Sequence, residues 1–208
     1  EVYLLQIKPM VLTGLRSMQL ESVNKQEIFC QSQITLGNGI YNNIYDLVYV
    51  RPATFDSSKS HNMSLEIESI NKEFKTESSY ILAGPGRWGS ADPWLGIPVG
   101  WKQITNAQVI IEIGHEELPV DPSFGSHFFQ NLTNLHIGYF TIDNKKDDFI
   151  DDAWLKDQSQ KKKGEYVDWY QFKNPFKVAI DGLSGGGTIT KPTAQVKKIM
   201  DEEESSGI

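Results

Sequence analysis

A single cysteine, Cys30, is the only thiol in this chain of 208 residues. One thiol excludes an internal disulfide and any cysteine-rich metal site, and it suits a reducing, cytoplasmic setting. No run of the sequence approaches the roughly 18 apolar residues needed to cross a bilayer. Positive charge is in short supply too. Twenty Lys and Arg face 27 Asp and Glu, and the net charge of -7 argues against broad binding to nucleic acid or anionic membranes. An initiator Met, a basic leader and a cleavage signal are absent from Glu1-Val2-Tyr3-Leu4-Leu5, which reads as the start of an excised segment. What is present is a globular composition. Hydrophobic residues make up 39%, enough for one sizeable core, and the length fits one domain with or without pieces of a neighbour.

Along the chain, residues 2–7 are strand-like and end at Pro9, and residues 16–29 are polar and read as a linker. Gly37-Asn38-Gly39 signals a turn, and residues 45–50 form an aromatic and β-branched strand closed by Arg51-Pro52. Met63, Ile67, Ile70 and Phe74 share one face of an amphipathic helix. A strand over 80–83 runs into the Gly-rich loop Gly84-Pro85-Gly86-Arg87-Trp88-Gly89-Ser90. Residues 101–107 fit one or two helical turns, and residues 108–113 are apolar enough to be central in a sheet. Phe128, Leu132 and Leu135 lie on one face of a second helix, followed by a strand over 138–142. Residues 156–165 look like an exposed loop. Residues 176–180 and 188–189 flank an expanded turn as a hairpin. Strands interleaved with two or three helices predict an α/β fold with a mixed sheet.

Four stretches, in order, resemble the family of phosphoenolpyruvate synthase and pyruvate, phosphate dikinase. Val2-Tyr3-Leu4-Leu5-Gln6-Ile7-Lys8-Pro9 looks like the last strand of that family's ATP-grasp domain, with Lys8 where the family has Arg. Ile34-Thr35-Leu36-Gly37-Asn38-Gly39 with residues 46–50 resembles the opening of its swivelling phosphohistidine domain, and Val178-Ala179-Ile180-Asp181-Gly182 with Gly185 resembles the hairpin that closes it. Phe124-Gly125-Ser126-His127 stands where the family has Gly-Gly-x-Thr-Ser-His; the double Gly and the Thr are missing, and Phe128-Phe129 replaces small residues. The resemblance implies a swivelling β/β/α domain over 34–192, preceded by an ATP-grasp remnant (1–12) and a linker (13–33), and followed by an acidic tail (193–208).

It also implies a function. A full-length parent would use ATP and Mg to phosphorylate His127 and pass the phosphoryl group to a small-molecule acceptor such as pyruvate. This fragment alone would be an inactive carrier with no cofactor of its own, partnered by the ATP-grasp domain upstream in the same chain. The resemblance places Gln6 and Lys8 as remnants of the nucleotide site. The residues themselves allow further readings. A neutral imidazole is a good phosphoryl nucleophile, and a helix start offers free N–H groups, so Gly125, Ser126 and His127 fit phosphate chemistry; equally, the His127 ring could pack beside Phe128. Arg87, with Gly86 and Ser90, could grip a phosphate, or Trp88 could plug the core and the loop serve only as a rigid turn. His115-Glu116-Glu117 fits no metal-ligand spacing, and no metal site is expected. Lys161 to Lys163 read as a solvated loop. The alternative function is a non-catalytic ligand- or partner-binding module that keeps the swivelling fold.

Overall fold

The computed structural model describes residues 23–90, 92, 94–114, 127–143 and 147–192. Its centre is a set of parallel strands: β3 (Gly39–Val50), β4 (Tyr80–Pro85), β7 (Ala107–Ile113) and β8 (Gly138–Ile142), hydrogen-bonded in that order. Parallel neighbours need crossovers, and the chain supplies them. Helix α1 (Ser60–Asn71) joins β3 to β4. The paired strands β5 (Arg87–Trp88) and β6 (Gly96–Ile97), with a 3-10 turn at Trp101–Gln103, lie between β4 and β7. Helix α2 (His127–Asn134) precedes β8.

Antiparallel strands extend the sheet on both sides. β2 (Ile34–Leu36) pairs with β8, while β11 (Val167–Asp181), β12 (Gly186–Thr190), β1 (Ile28–Ser32) and β9 (Phe149–Ile150) continue outward from β3. Short β10 (Lys162–Lys163) pairs with β11, and helix α3 (Asp152–Lys156) follows β9. The two flanks meet: Thr35 N–H donates to the Gly185 carbonyl at 2.9 Å, and Ser32 Oγ donates to the Thr141 carbonyl at 2.5 Å. The sheet therefore curls back over itself.

Two cores result. Between the facing parts of the curled sheet lie Phe29, Leu47, Ile81, Val109, Ile111, Phe140 and Phe176, all fully buried. On the other face of the parallel strands Met63, Ile67 and Ile70 of α1 and Leu132 of α2 cover Leu82, Ile110 and Tyr139. The fold is mixed α/β, strand-rich with few helices. Because both faces of β4 and β7 are covered, their sequences are continuous apolar runs rather than alternating ones.

Several local expectations change. Residues 28–32 fall in the stretch expected as a linker, yet they form β1, with Phe29 and Cys30 at 0% exposure. α1 ends at Asn71, before Phe74, whose ring packs instead on Tyr80 and Trp169. Leu135 lies past the end of α2 and is 57% exposed. Within 156–165, Lys162 and Lys163 pair with Trp169 and Asp168 as strand, because the edge of β11 offers them free ladder groups. The turn at Asp181 is as read: its carboxylate accepts from Leu183 N–H at 3.0 Å. No helix among the described residues is long and apolar enough to cross a membrane.

Ile111 sits in the middle of β7 at 0% exposure, so Ile111→Ala leaves a cavity between the two halves of the curled sheet. We expect it to cost about 2–5 kcal/mol in urea unfolding. Leu183→Ala, at a position 49% exposed in the hairpin turn, should change stability by less than about 0.5 kcal/mol. Equal effects would contradict the packing described.

Candidate functional site

The carboxyl ends of β4 and β7 and the start of α2 converge on the Gly-rich loop. Trp88 is 3% exposed, with its indole Nε1 donating to the Ile111 carbonyl at 3.0 Å. It does plug the core. The backbone donors of residues 86–89 are also committed. Gly86 N–H donates to Ile113 O at 3.0 Å, Arg87 N–H to Leu95 O at 2.8 Å, Trp88 N–H to Glu112 Oε1 at 3.0 Å and Gly89 N–H to Ile97 O at 2.9 Å. These four amides are turned to the protein rather than to a ligand, and Gly86 has no donor left to offer. Ser90 is similarly engaged: its Oγ donates to Asp92 O at 3.0 Å and accepts from Asp92 N–H at 3.2 Å.

The Arg87 side chain is the exception. Half-buried, it carries a guanidinium whose Nε is fully enclosed and has no hydrogen-bond partner among the described residues. One carboxyl that feels its charge was passed over in the sequence. Glu112, 4% exposed, accepts from Trp88 N–H and from Tyr139 Oη at 2.6 Å. Burial pushes the Glu112 carboxyl up to about 7, against the pull of Tyr139, Trp88 N–H and the Arg87 charge. Burial and the adjoining carboxylate raise Tyr139 as well, which keeps its phenol protonated as the donor. A signal for Glu112 existed: one acid within the apolar run of β7, where a charge is tolerated only with partners.

α2 is anchored to this loop through Phe128. Its ring stacks on Trp101 with centroids 4.4 Å apart, and it lies so near Gly89 that a Cβ there would sit 2.3 Å from the ring. Gly89 also has φ +75°, so glycine is required twice over. His127, immediately before Phe128, is the first residue of α2 and so is held next to the Arg87 loop. The loop and the histidine, picked out separately in sequence, are brought together. Gln6, Lys8, Gly125 and Ser126 lie outside the described residues, as does the 115–117 acidic stretch. Among the described residues no three His, Cys, Asp or Glu side chains are grouped to hold a metal ion. Chemically, the loop that packs on the start of α2 carries a guanidinium charge, and the enclosed Glu112 carboxyl feels that charge. Such a site favours an anion.

No protein-family model, no curated protein and no solved structure matches this chain.

The raised Glu112 carboxyl makes stability depend on pH. A carboxyl at 4.5 in the unfolded chain and about 7 in the folded one stabilises the fold fully below 4.5, and that contribution is lost as pH rises to about 7. The loss is roughly 3 kcal/mol. Glu112→Gln keeps an acceptor for Trp88 N–H and removes the titration. Relative to this variant, the wild-type protein should lose that amount between pH 4.5 and 7 in denaturant titrations. Parallel curves would mean that Glu112 ionises normally.

Proposed function

We propose that this chain is the phosphoryl-carrying part of an ATP-dependent phosphotransferase of the phosphoenolpyruvate synthase and pyruvate, phosphate dikinase kind, with a swivelling β/β/α domain that moves between two sites. The observation that carries the reading is the seating of the α2 start, with His127, against the loop that holds Arg87. The three layers support it: sheet, facing sheet, helices on one side.

In this reading a neutral His127 ring nitrogen attacks a phosphorus of ATP, forming a P–N bond as the P–O bond to the nucleotide breaks. An acceptor oxygen, such as that of pyruvate enolate, then attacks the same phosphorus and the P–N bond breaks. Arg87 offsets the charge on the carried group. Because the amides of residues 86–89 are bonded within the protein, that role falls to its guanidinium and the start of α2. Glu112, below, fixes the loop through Trp88 N–H. ATP and its Mg belong to a nucleotide-binding domain upstream in the full-length protein, and the carrier alone turns nothing over.

One observation favours the alternative of a non-catalytic binding module. Phe128, packed between Trp101 and Gly89, brings bulk to the place where the related motif has small residues. Labelling separates the two. Full-length protein incubated with ATP labelled at the β- or the γ-phosphate should acquire acid-labile, base-stable label that is absent from His127→Ala. Arg87→Ala should slow labelling by roughly 10²-fold while ATP binding persists. If ATP binds and no label reaches His127, the carrier reading fails and the binding module replaces it.

A further inference from the structure

A cavity of about 400 Å³ opens at the carboxyl end of β3, walled by β3, α3, β10 and β11. It lies on the inner side of the curled sheet, away from Glu112, and it takes no part in the function proposed above. Its floor is built from Tyr49, Leu155 and Tyr170, at 5%, 2% and 3% exposure.

One wall is an ion pair whose members are engaged chiefly with the protein. Arg51 Nη1 bonds to Asp168 Oδ1 at 2.6 Å, Nη2 to the carbonyls of Gly164, at 3.3 Å, and of Glu165, and Nε to Thr54 Oγ1 at 3.4 Å. The Asp168 side chain is 2% exposed, so this wall is fixed and largely dry. Tyr49 donates its phenol proton to Asp152, which ties β3 to α3 across the floor. Burial and the Asp152 charge keep that phenol protonated. Arg51 and Asp168 cancel, and so the cavity's free character is set at its mouth.

There Lys156 and Lys163 line the cavity from opposite elements, α3 and β10. Both are exposed, and neither ammonium group has an ion pair or hydrogen bond among the described residues. Their neighbours in sequence are occupied: Lys162 pairs with Glu73 at 2.5 Å, and Lys161 lies 3.7 Å over the Trp169 ring. Of the three consecutive lysines, the one turned to the cavity is the one left without a partner. Three cations (Arg51, Lys156, Lys163) against two carboxylates (Asp152, Asp168) leave one net positive charge around a half-open, partly aromatic space. Sites of this size bind small molecules by apolar walls, with a few polar groups fixing orientation.

We propose that this cavity binds a small organic anion, a carboxylate or phosphate monoester carried on a flat apolar body. The anionic group lies between the Lys156 and Lys163 ammonium groups, and the body packs on Tyr170 and Leu155. Neither half suffices alone: exposed lysines hold a bare anion weakly, and the apolar floor without them has no means of orienting a ligand.

Amide chemical-shift titration of the 208-residue chain tests this, with phenyl phosphate, benzoate and inorganic phosphate as the probes. Phenyl phosphate and benzoate should give saturable shifts at Leu155, Lys156, Gln160, Lys163 and Tyr170, and inorganic phosphate should bind at least about tenfold more weakly. Lys156→Met with Lys163→Met should weaken both organic probes by about tenfold or more while spectral dispersion is retained. Ala53→Trp, at an exposed position on the rim, should block them without touching either lysine. The proposal is overturned if shifts scatter over the surface or fail to saturate, if inorganic phosphate binds as tightly as phenyl phosphate, or if the double variant binds unchanged.

Discussion

Because β4, β7 and β8 are covered on both faces, a charged group they carry must find its partners inside the protein. That constraint decides what the loop after β4 can be. An acid at Glu112 would cost several kcal/mol unmet, and it is met by three groups from two other segments: Trp88 N–H and the Arg87 charge from the loop, and Tyr139 Oη from β8. The loop is bent back onto β7 to supply them. Trp88 fills the space so created, Gly86 N–H closes on Ile113, and the Arg87 backbone is fixed before any ligand is considered. Arg87 is left half-buried in a loop whose Gly89 packs against Phe128 at the start of α2.

The parallel strands were the most legible part of the chain, for the same reason. Residues 108–113 and 80–83 announce themselves as continuous apolar runs because water reaches neither face. α1 showed in the spacing of Met63, Ile67 and Ile70, and the closing hairpin in its glycines. β1 was hidden. It is five residues long, follows a polar stretch, and has a register break between Ile28 and Cys30, so no clean alternation marks it. Phe74 kept the helical spacing but is held by two aromatic neighbours distant in sequence, which periodicity cannot register. The closure of the sheet through Thr35–Gly185 and Ser32–Thr141 rests on contacts across more than a hundred residues. Local pattern contains no trace of them. Pro175, by contrast, has an evident place: it lies inside the interval where β11 slips register against β3, and there its missing N–H costs no ladder bond.

The site was legible by halves. Arg87 and His127 stand out as residue types in suggestive surroundings, and their joining through Phe128 and Gly89 is a tertiary fact. Glu112 and Tyr139 were overlooked because the strand pattern that identified β7 and β8 absorbed them as ordinary members. A charged residue in a doubly buried strand needs a partner, and the search for that partner would have led from Glu112 to the loop. The cavity by Tyr49 was beyond reach altogether. Its lining comes from four segments, and the unengaged state of Lys163 beside the engaged Lys161 and Lys162 depends on which way each side chain leaves a two-residue strand.

The glycines of the loop show why composition misdirects here. A run with three glycines and an arginine invites the picture of backbone amides cradling a phosphate. In this fold the glycines admit protein instead of ligand. Gly89 makes room for the Phe128 ring, and across the small β5–β6 sheet a Cβ on Gly96 would sit 1.9 Å from the Arg87 carbonyl oxygen. Close packing and anion cradling ask the same thing of a sequence, absence of a side chain, and they differ in where the N–H groups go. Counting those donors separates the two. With the amides of residues 86–89 all bonded to the protein, any anion affinity of this region has to come from the Arg87 side chain and the start of α2.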